Sequence, residues 1–454
     1  MQIAARDLTK GSIYQSLLLF AAPFLLANFI QALYGTVDMI VVGWFTDAAG
    51  ITAVSIGSQI MVLVNSMVTG ITMGGTILIA QYMGAGQEHE ISRTIGTMFT
   101  LFFLIGLALT VLLFGGASPL LIALQTPAEA FPDTMAYTRI AACGVIFTLL
   151  YNGVSAILRG MGDSVRPLLF ISVACVCNVL LDLLFVGVFH WGPGGAAAAT
   201  ILSQALSMVL SILYLRRRDF VFDFKLQSFR LSGSKARKII RLGLPISLQS
   251  TMVDISFLII AAVVNTFGVT AAAAVGIAEK FNSFAMLPAS ALSGAIASMV
   301  GQNIGSGQPE RARKVLRIGI VFSLIGALGF FLWVQLSPES VMLLFKADRE
   351  VIEAGLDYIR AFSFDFLLVA FVFCMNGFYN GCGCTVFSMV NGLLATFLVR
   401  IPLVFLLGNM LGMFGVGLAA PLASFASIVL GYWYLFTGRW KQQGLVSPEA
   451  APAA

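Results

Sequence analysis

Charged side chains are scarce in this chain of 454 residues: Asp, Glu, Lys and Arg make up 10% of it. A soluble domain carries about 25%. The shortage excludes the ordinary soluble classes, and 59% hydrophobic residues point to a chain that crosses a membrane many times. Paired CxxC motifs are lacking too. The six cysteines (Cys143, Cys175, Cys177, Cys374, Cys382 and Cys384) lie in or beside apolar stretches, and Cys382 and Cys384 are too close for a zinc site. Buried structural thiols are the expectation. The opening "MQIAARDLTKGSIYQ" lacks a signal peptide's charged, apolar and cleavage regions, so no removable leader is expected. No GxxxxGK followed by Ser or Thr occurs, and no soluble stretch has room for a nucleotide-binding domain, which argues against an ATP-driven pump.

What is present is a series of long apolar runs, near residues 13–45, 51–80, 93–115, 134–158, 166–190, 194–216, 238–266, 271–300, 314–335, 355–379, 385–408 and 414–437. They are too long and continuous for transmembrane β-strands of about 10 alternating residues. Twelve transmembrane helices are therefore expected in an all-α polytopic membrane protein. Basic residues are distributed unevenly between the connections. With a cytoplasmic N-terminus, the inner segments hold Arg6, Lys10, Arg93, Arg166, Arg216, Arg217, Arg218, Arg311 and others, whereas the outer loops hold only Lys346 and Arg349. This positive-inside pattern places both termini in the cytoplasm of a cell-membrane protein, and explains the net charge of +5 without any nucleic acid partner. The basic stretch 216–241 reads as a solvated linker at the anionic inner leaflet. The expected organisation is a bundle over 1–216, a linker over 217–237, a second bundle over 238–437 and a cytoplasmic tail over 438–454.

The two halves repeat. "AQYMGAGQEHEISR" (80–93) matches "GQNIGSGQPERARK" (301–314) at a shift of 221, as do Tyr137 with Tyr358, Arg139 with Arg360, Gly160 with Gly381 and Gly162 with Gly383. Pro23 and Pro245 pair one residue out of step. Six helices per half is an even number, so both copies enter the membrane in the same sense. They are expected to be related by a pseudo-two-fold axis along the membrane normal, as in alternating-access transporters.

A repeat is its own control, because a residue found in one half only is not needed to build the bundle. At the same shift Asp38 meets Ile259, Asn178 meets Val399, Asp182 meets Leu403 and Thr200 meets Pro421. Helical rise places Asp38, Asp182 and Thr200 at about the same depth, roughly 10 Å below the outer boundary. Asn178 and Asp182 share a helix face at i,i+4, as do Tyr34 and Asp38. Two carboxylates, an amide and a hydroxyl form an oxygen-rich pocket that suits a small hard cation such as Na⁺, or protons held by a coupled carboxyl pair. No Lys or Arg lies at that depth in the same helices, and intramembrane acids are functional by default. In the second half, Asp254 and Glu279 are candidates for contacting a cationic substrate, and Asp365 with Arg400 is expected to form a structural ion pair.

These residues make the chain resemble the MATE (multidrug and toxic compound extrusion) family. The resemblance rests on Pro23, "LYGTVDMIVVG", the paired GxGQ loops at 84–87 and 305–308, "LRGMGDSVRP" (158–167) and "NVLLD" (178–182). It implies twelve helices in two bundles and secondary active export of amphipathic organic cations in exchange for inward Na⁺ or H⁺, with no cofactor and no enzymatic step. In the family's prokaryotic DNA-damage-inducible branch it implies an ion site on Asp38, Asn178, Asp182 and Thr200. It further implies a surrounding network of Tyr34, Tyr137 and Asn152, and a helix bend at Pro23. The expected partners are a small cationic substrate and membrane lipid, with the chain as a monomer. A flippase of a lipid-linked precursor from the same superfamily is the alternative. It calls for a cavity rich in Arg and Lys, whereas here two intramembrane cations (Lys280, Arg400) stand against five acids. The major-facilitator class, also twelve helices in two halves, is disfavoured because "GAGQEHEISR" lacks its loop pattern.

Overall fold

The computed structural model describes residues 7–216, 220–345, 348–442 and 444–446, with every side chain except those of Tyr34 and Gln442. Arg6, Arg217, Arg218 and Lys346 lie outside the described residues. All regular structure described is helical, as apolar runs require in lipid, where each backbone N–H and C=O must be satisfied within its own segment. The helices are α1 (Ile13–Phe45), α2 (Ala48–Gly84), α3 (Glu88–Ala123), α4 (Phe131–Gly160), α5 (Val165–Asp182), α6 (Gly192–Arg216), α7 (Gly233–Asn265), α8 (Val269–Ala285), α9 (Leu287–Gly305), α10 (Pro309–Leu336), α11 (Pro338–Leu343), α12 (Arg349–Gly381), α13 (Thr385–Leu393) and α14 (Ile401–Thr437). Wider π-helical turns extend α5 over Leu183–Val188 and join α13 to α14 over Leu394–Arg400. The short α11 was not expected from the sequence.

Among the described residues, eleven helical stretches are long and apolar enough to cross a membrane, and α8 with α9 forms one of them. The last, Thr385–Thr437, has 53 residues. At 1.5 Å each these would run about 80 Å, more than twice the ~30 Å hydrocarbon layer. Gly412 breaks it with φ 62° and ψ −142°. Beyond the break, Gly415 packs so tightly on Leu407 that a Cβ would strike the Leu407 carbonyl oxygen. Residues eight apart in a straight helix are ~12 Å apart. The chain therefore turns back at Gly412, and the stretch supplies both of the last two expected crossings.

The chain forms two compact units: unit 1 is Met1–Asp7 with Leu26–Leu244, and unit 2 is Leu8–Leu25 with Pro245–Ala454. The division falls inside α1, shortly after Pro23, and inside α7, immediately before Pro245; both helices continue unbroken through their prolines. In unit 1, α4 is the central helix and packs on α2, α3 and α6. In unit 2, α12 has the same place among α9, α10 and α14. Glycine makes both crossings possible. A Cβ on Gly160 would lie 2.8 Å from the Thr76 carbonyl oxygen, and one on Gly381 2.6 Å from that of Ala297, the matching contact in the repeat. The repeated loops also keep their left-handed turns, with φ 73° at Gly86 and 72° at Gly307. Only glycine adopts such angles without strain.

The linker differs from expectation. Among its described residues Lys225, Leu226 and Arg230 are exposed as expected, but Phe222 is 2% exposed, and its ring lies 6.1 Å from that of Phe99 on α3. Phe229 approaches the same ring at 5.6 Å. Thr97 and Thr100 donate hydrogen bonds to the carbonyl oxygens of Arg230 and Phe229 at 3.3 and 3.1 Å. The basic residues drew attention away from the phenylalanines between them, whose burial holds this segment on unit 1. Accordingly α7 starts at Gly233, ahead of the expected 238.

Candidate functional site

The oxygen-bearing side chains singled out by the repeat come together inside unit 1. Asp38 on α1 is 6% exposed, and Asn178 and Asp182 on α5 are fully buried. Thr200 on α6 donates a hydrogen bond to Asp38 Oδ2 at 3.1 Å. The Asp182 carboxyl and the Asn178 amide lie next to the Asp38 carboxyl. The i,i+4 spacing aims Asn178 and Asp182 at one point, and Asp182 ends the regular α-helix where the π-helical turns begin. Such wide turns often mark functional positions.

The electrostatics of the group are one-sided. Neither carboxylate forms an ion pair among the described residues. Asp38 Oδ1, both Asp182 oxygens and both polar atoms of the Asn178 amide are buried without a hydrogen-bond partner. Two like charges this close, with no counter-charge, require a bound cation or proton. Four oxygen donors suit a small hard cation. Among the described residues no group of three or more His, Cys, Asp or Glu gathers.

Tyr137 on α4 is buried beside the carboxylates and pairs with the Ser58 hydroxyl at 3.2 Å. Asn152 Nδ2 donates to the Thr148 carbonyl oxygen at 2.8 Å. Both line a cavity of about 100 Å³ that also meets Thr200, Gln204, Gln31, Asn65 and Arg159. The side chain of Tyr34 lies outside the described residues.

A family model described as MatE matches residues 23–184 and again residues 245–406, so each half of the repeat carries its own copy. The chain belongs to the MatE family. Among its relatives is "Probable multidrug resistance protein YpnP" of Bacillus subtilis (strain 168), 29% identical over 450 residues that cover 98% of this chain and 100% of that one. Another is "Probable multidrug resistance protein YoeA" of the same organism, 28% identical over 96% of each chain. The fold also matches a solved multidrug resistance MATE family transporter of the MOP superfamily in an outward-facing conformation. The TM-score is 0.91 at 20% identity, covering 97% of this chain and 100% of that chain. As a multi-pass membrane transporter of this family, the protein is not an enzyme.

In unit 2 of this MATE chain the acids are arranged differently. Tyr358 donates a hydrogen bond to Glu279 Oε1 at 2.7 Å. Under the repeat these are the positions of Tyr137 and Ser58, so one contact is preserved with a carboxylate in place of a hydroxyl. The expected ion pair of Asp365 with Arg400 is not formed within 4.0 Å among the described residues. Asp365 is buried with Oδ1 unpartnered, and the Arg400 guanidinium sits over the Phe257 ring, 4.7 Å from its centroid. The Arg400 charge still acts on the Asp365 carboxyl, but from beyond contact distance. Asp254 is half-buried on α7.

Sequence reasoning missed Gln31, Asn65 and Gln204 in the unit 1 cavity. The repeat carries the signal that finds them: at the shift of 221 they meet Met252, Met286 and Phe425. Gln204 also lies one turn from Thr200 on the same face, and its Oε1 is buried without a partner.

Proposed function

We propose that this MATE transporter exports amphipathic organic cations in exchange for inward Na⁺ or H⁺, as a member of the DNA-damage-inducible branch. The coupling ion is held by Asp38, Asn178, Asp182 and Thr200. The observation that carries this reading is the buried carboxyl pair with unpartnered oxygens and no basic partner. Its occupancy changes the charge inside unit 1, and an ion that favours one conformation shifts the transporter toward it. One charge crossing 100 mV supplies ~2.3 kcal/mol before any chemical gradient. Tyr137 and Asn152 belong to the polar surroundings of the site, with Tyr34 assigned there by resemblance. Pro23 provides the bend of α1, close to where that helix passes from unit 2 to unit 1. Asp254 and Glu279 contact the cationic cargo.

The names of the relatives support multidrug export, and the intramembrane excess of acid over base supports cationic cargo. The reading includes two six-helix halves of the sequence over 1–216 and 238–437, with the start of α1 packed in the second unit, both termini in the cytoplasm, and a monomer. Efflux of a fluorescent lipophilic cation from proteoliposomes, with Na⁺ and pH gradients imposed separately, tests the proposal. Efflux driven by one of the two gradients is expected. No efflux under either would refute ion-coupled cation export and favour the flippase alternative.

A further inference from the structure

The first turns of α1 and α10 border an open cleft of about 510 Å³ within unit 2, lined by Gly11, Ser12, Tyr14, Arg311, Lys314 and Arg317 among others. Three of these side chains are cations. Arg311 donates to the carbonyl oxygens of Lys10 and Gly11 at 3.0 and 2.9 Å, which fixes the segment leading into α1. Lys314 and Arg317 are exposed and form no ion pair among the described residues. Glu310, the acid at the start of the same helix, is engaged by Lys441 at 2.7 Å. The N-terminus of α1 adds the partial positive charge of its free amide groups.

The repeat shows that the fold does not need two of the three charges, whereas Lys314 meets Arg93. Arg311 and Arg317 stand where unit 1 has Glu90 and Gly96. There the matching cleft is filled. Glu90 pairs with Lys235, the linker backbone lies so close to Gly96 that a Cβ would strike the Ser228 carbonyl oxygen, and Phe222 closes over the same glycine. Among the described residues of unit 2 no such segment lies over the cleft, which is open and cationic there.

The face of α10 below the cleft says what fills it. Lys314, Arg317, Val321, Ile325, Leu328 and Leu332 follow one another at helical spacing along one side. The last four are 53%, 66%, 46% and 44% exposed. Tyr14 is exposed beside this strip, with its ring 6.3 Å from that of Phe322. A free phosphate would use only the cations. An anionic phospholipid uses both parts, with its phosphate in the cleft and an acyl chain along the apolar strip. We infer that this cleft is a binding site for the headgroup phosphate of an anionic phospholipid, held by Arg311, Lys314 and Arg317. The leaflet follows the topology proposed above, whereas the ligand class does not depend on it.

The test is titration of the full chain in detergent, followed by native mass spectrometry and thermal shift, with phosphatidylglycerol, phosphatidylcholine of the same chains, and inorganic phosphate. Phosphatidylglycerol is expected to bind and raise the melting temperature, and the other two at equal concentration are not. Lys314→Gln with Arg317→Gln weakens that binding about 25-fold, roughly fivefold per base removed. Arg93→Gln with Arg237→Gln removes as much charge elsewhere and leaves it unchanged. Wild-type binding by the Lys314/Arg317 variant, equal binding of phosphatidylcholine, or displacement of the lipid by inorganic phosphate would each overturn the inference.

Discussion

Replacing Glu90 by Gln should destabilise unit 1 more than removing the lysine that Glu90 holds. Lys235 is buried, its side chain 7% exposed, and it reaches both Glu90 and the Tyr82 hydroxyl, the latter at 2.6 Å. Its ammonium also lies 3.9 Å from the Tyr82 ring centroid. The Glu90 side chain is 32% exposed, so water screens one end of the pair. Two unit charges ~3.5 Å apart attract by about 2 kcal/mol at an effective dielectric of ~40, suited to one buried and one part-exposed partner. Glu90→Gln keeps the shape and loses that term while leaving the ammonium buried, so it costs ~2 kcal/mol. Lys235→Met loses the same attraction but also removes the desolvation cost of the lysine, and should stay within about 1 kcal/mol of wild type. If unit 1, of roughly 220 residues, melts cooperatively, Glu90→Gln lowers its midpoint by about 4–8 °C. The assay is thermal unfolding in one detergent of wild type, both single variants and the double variant, which should match Lys235→Met. A larger loss for Lys235→Met than for Glu90→Gln would show that packing of the lysine stem, and not charge, holds α7 against α3.

Two further outcomes follow from the space around glycines. Gly381→Ala places a methyl 2.6 Å from the Ala297 carbonyl oxygen and should cost ~1–3 kcal/mol, read as a lowered melting temperature. Gly329→Ala, with nothing within 4 Å of the new Cβ, should stabilise α10 by up to ~1 kcal/mol. Thr200→Val removes the hydrogen bond to Asp38 Oδ2 while keeping the side-chain volume. A net loss of ~1 kcal/mol predicts roughly fivefold weaker apparent affinity for the coupling ion, measured as the ion concentration giving half-maximal efflux.

Much of this molecule is legible from its residues because the chain was duplicated. The apolar runs outline the helices, since lipid leaves the backbone no other satisfied form. The glycine pairs 86 with 307 and 160 with 381 mark turns and crossings that both copies need. The mismatches Asp38 with Ile259 and Asp182 with Leu403 point to a group that the structure gathers in one place. What stayed hidden depends on direction and packing. Asp365 and Arg400 lie at one depth, but similar depth does not bring two side chains within ion-pair distance. The linker reads as basic, yet its phenylalanines decide its position, because burying one aromatic ring outweighs leaving a nearby lysine in water. The unit 1 cavity was overlooked because Gln31, Asn65 and Gln204 are uncharged, and amides in apolar helices attract less notice than acids.

The most direct test of the central claim compares Asp38→Asn and Asp182→Asn with wild type and Asp365→Asn in proteoliposome efflux, under whichever gradient drives the wild type. Insertion and melting temperature are checked for each. The account predicts that both unit 1 variants lose gradient-driven efflux while still binding the lipophilic cation, and that Asp365→Asn retains its response to the gradient. Wild-type coupling in Asp38→Asn and Asp182→Asn would contradict it, and would make the buried carboxyl pair a structural feature of unit 1.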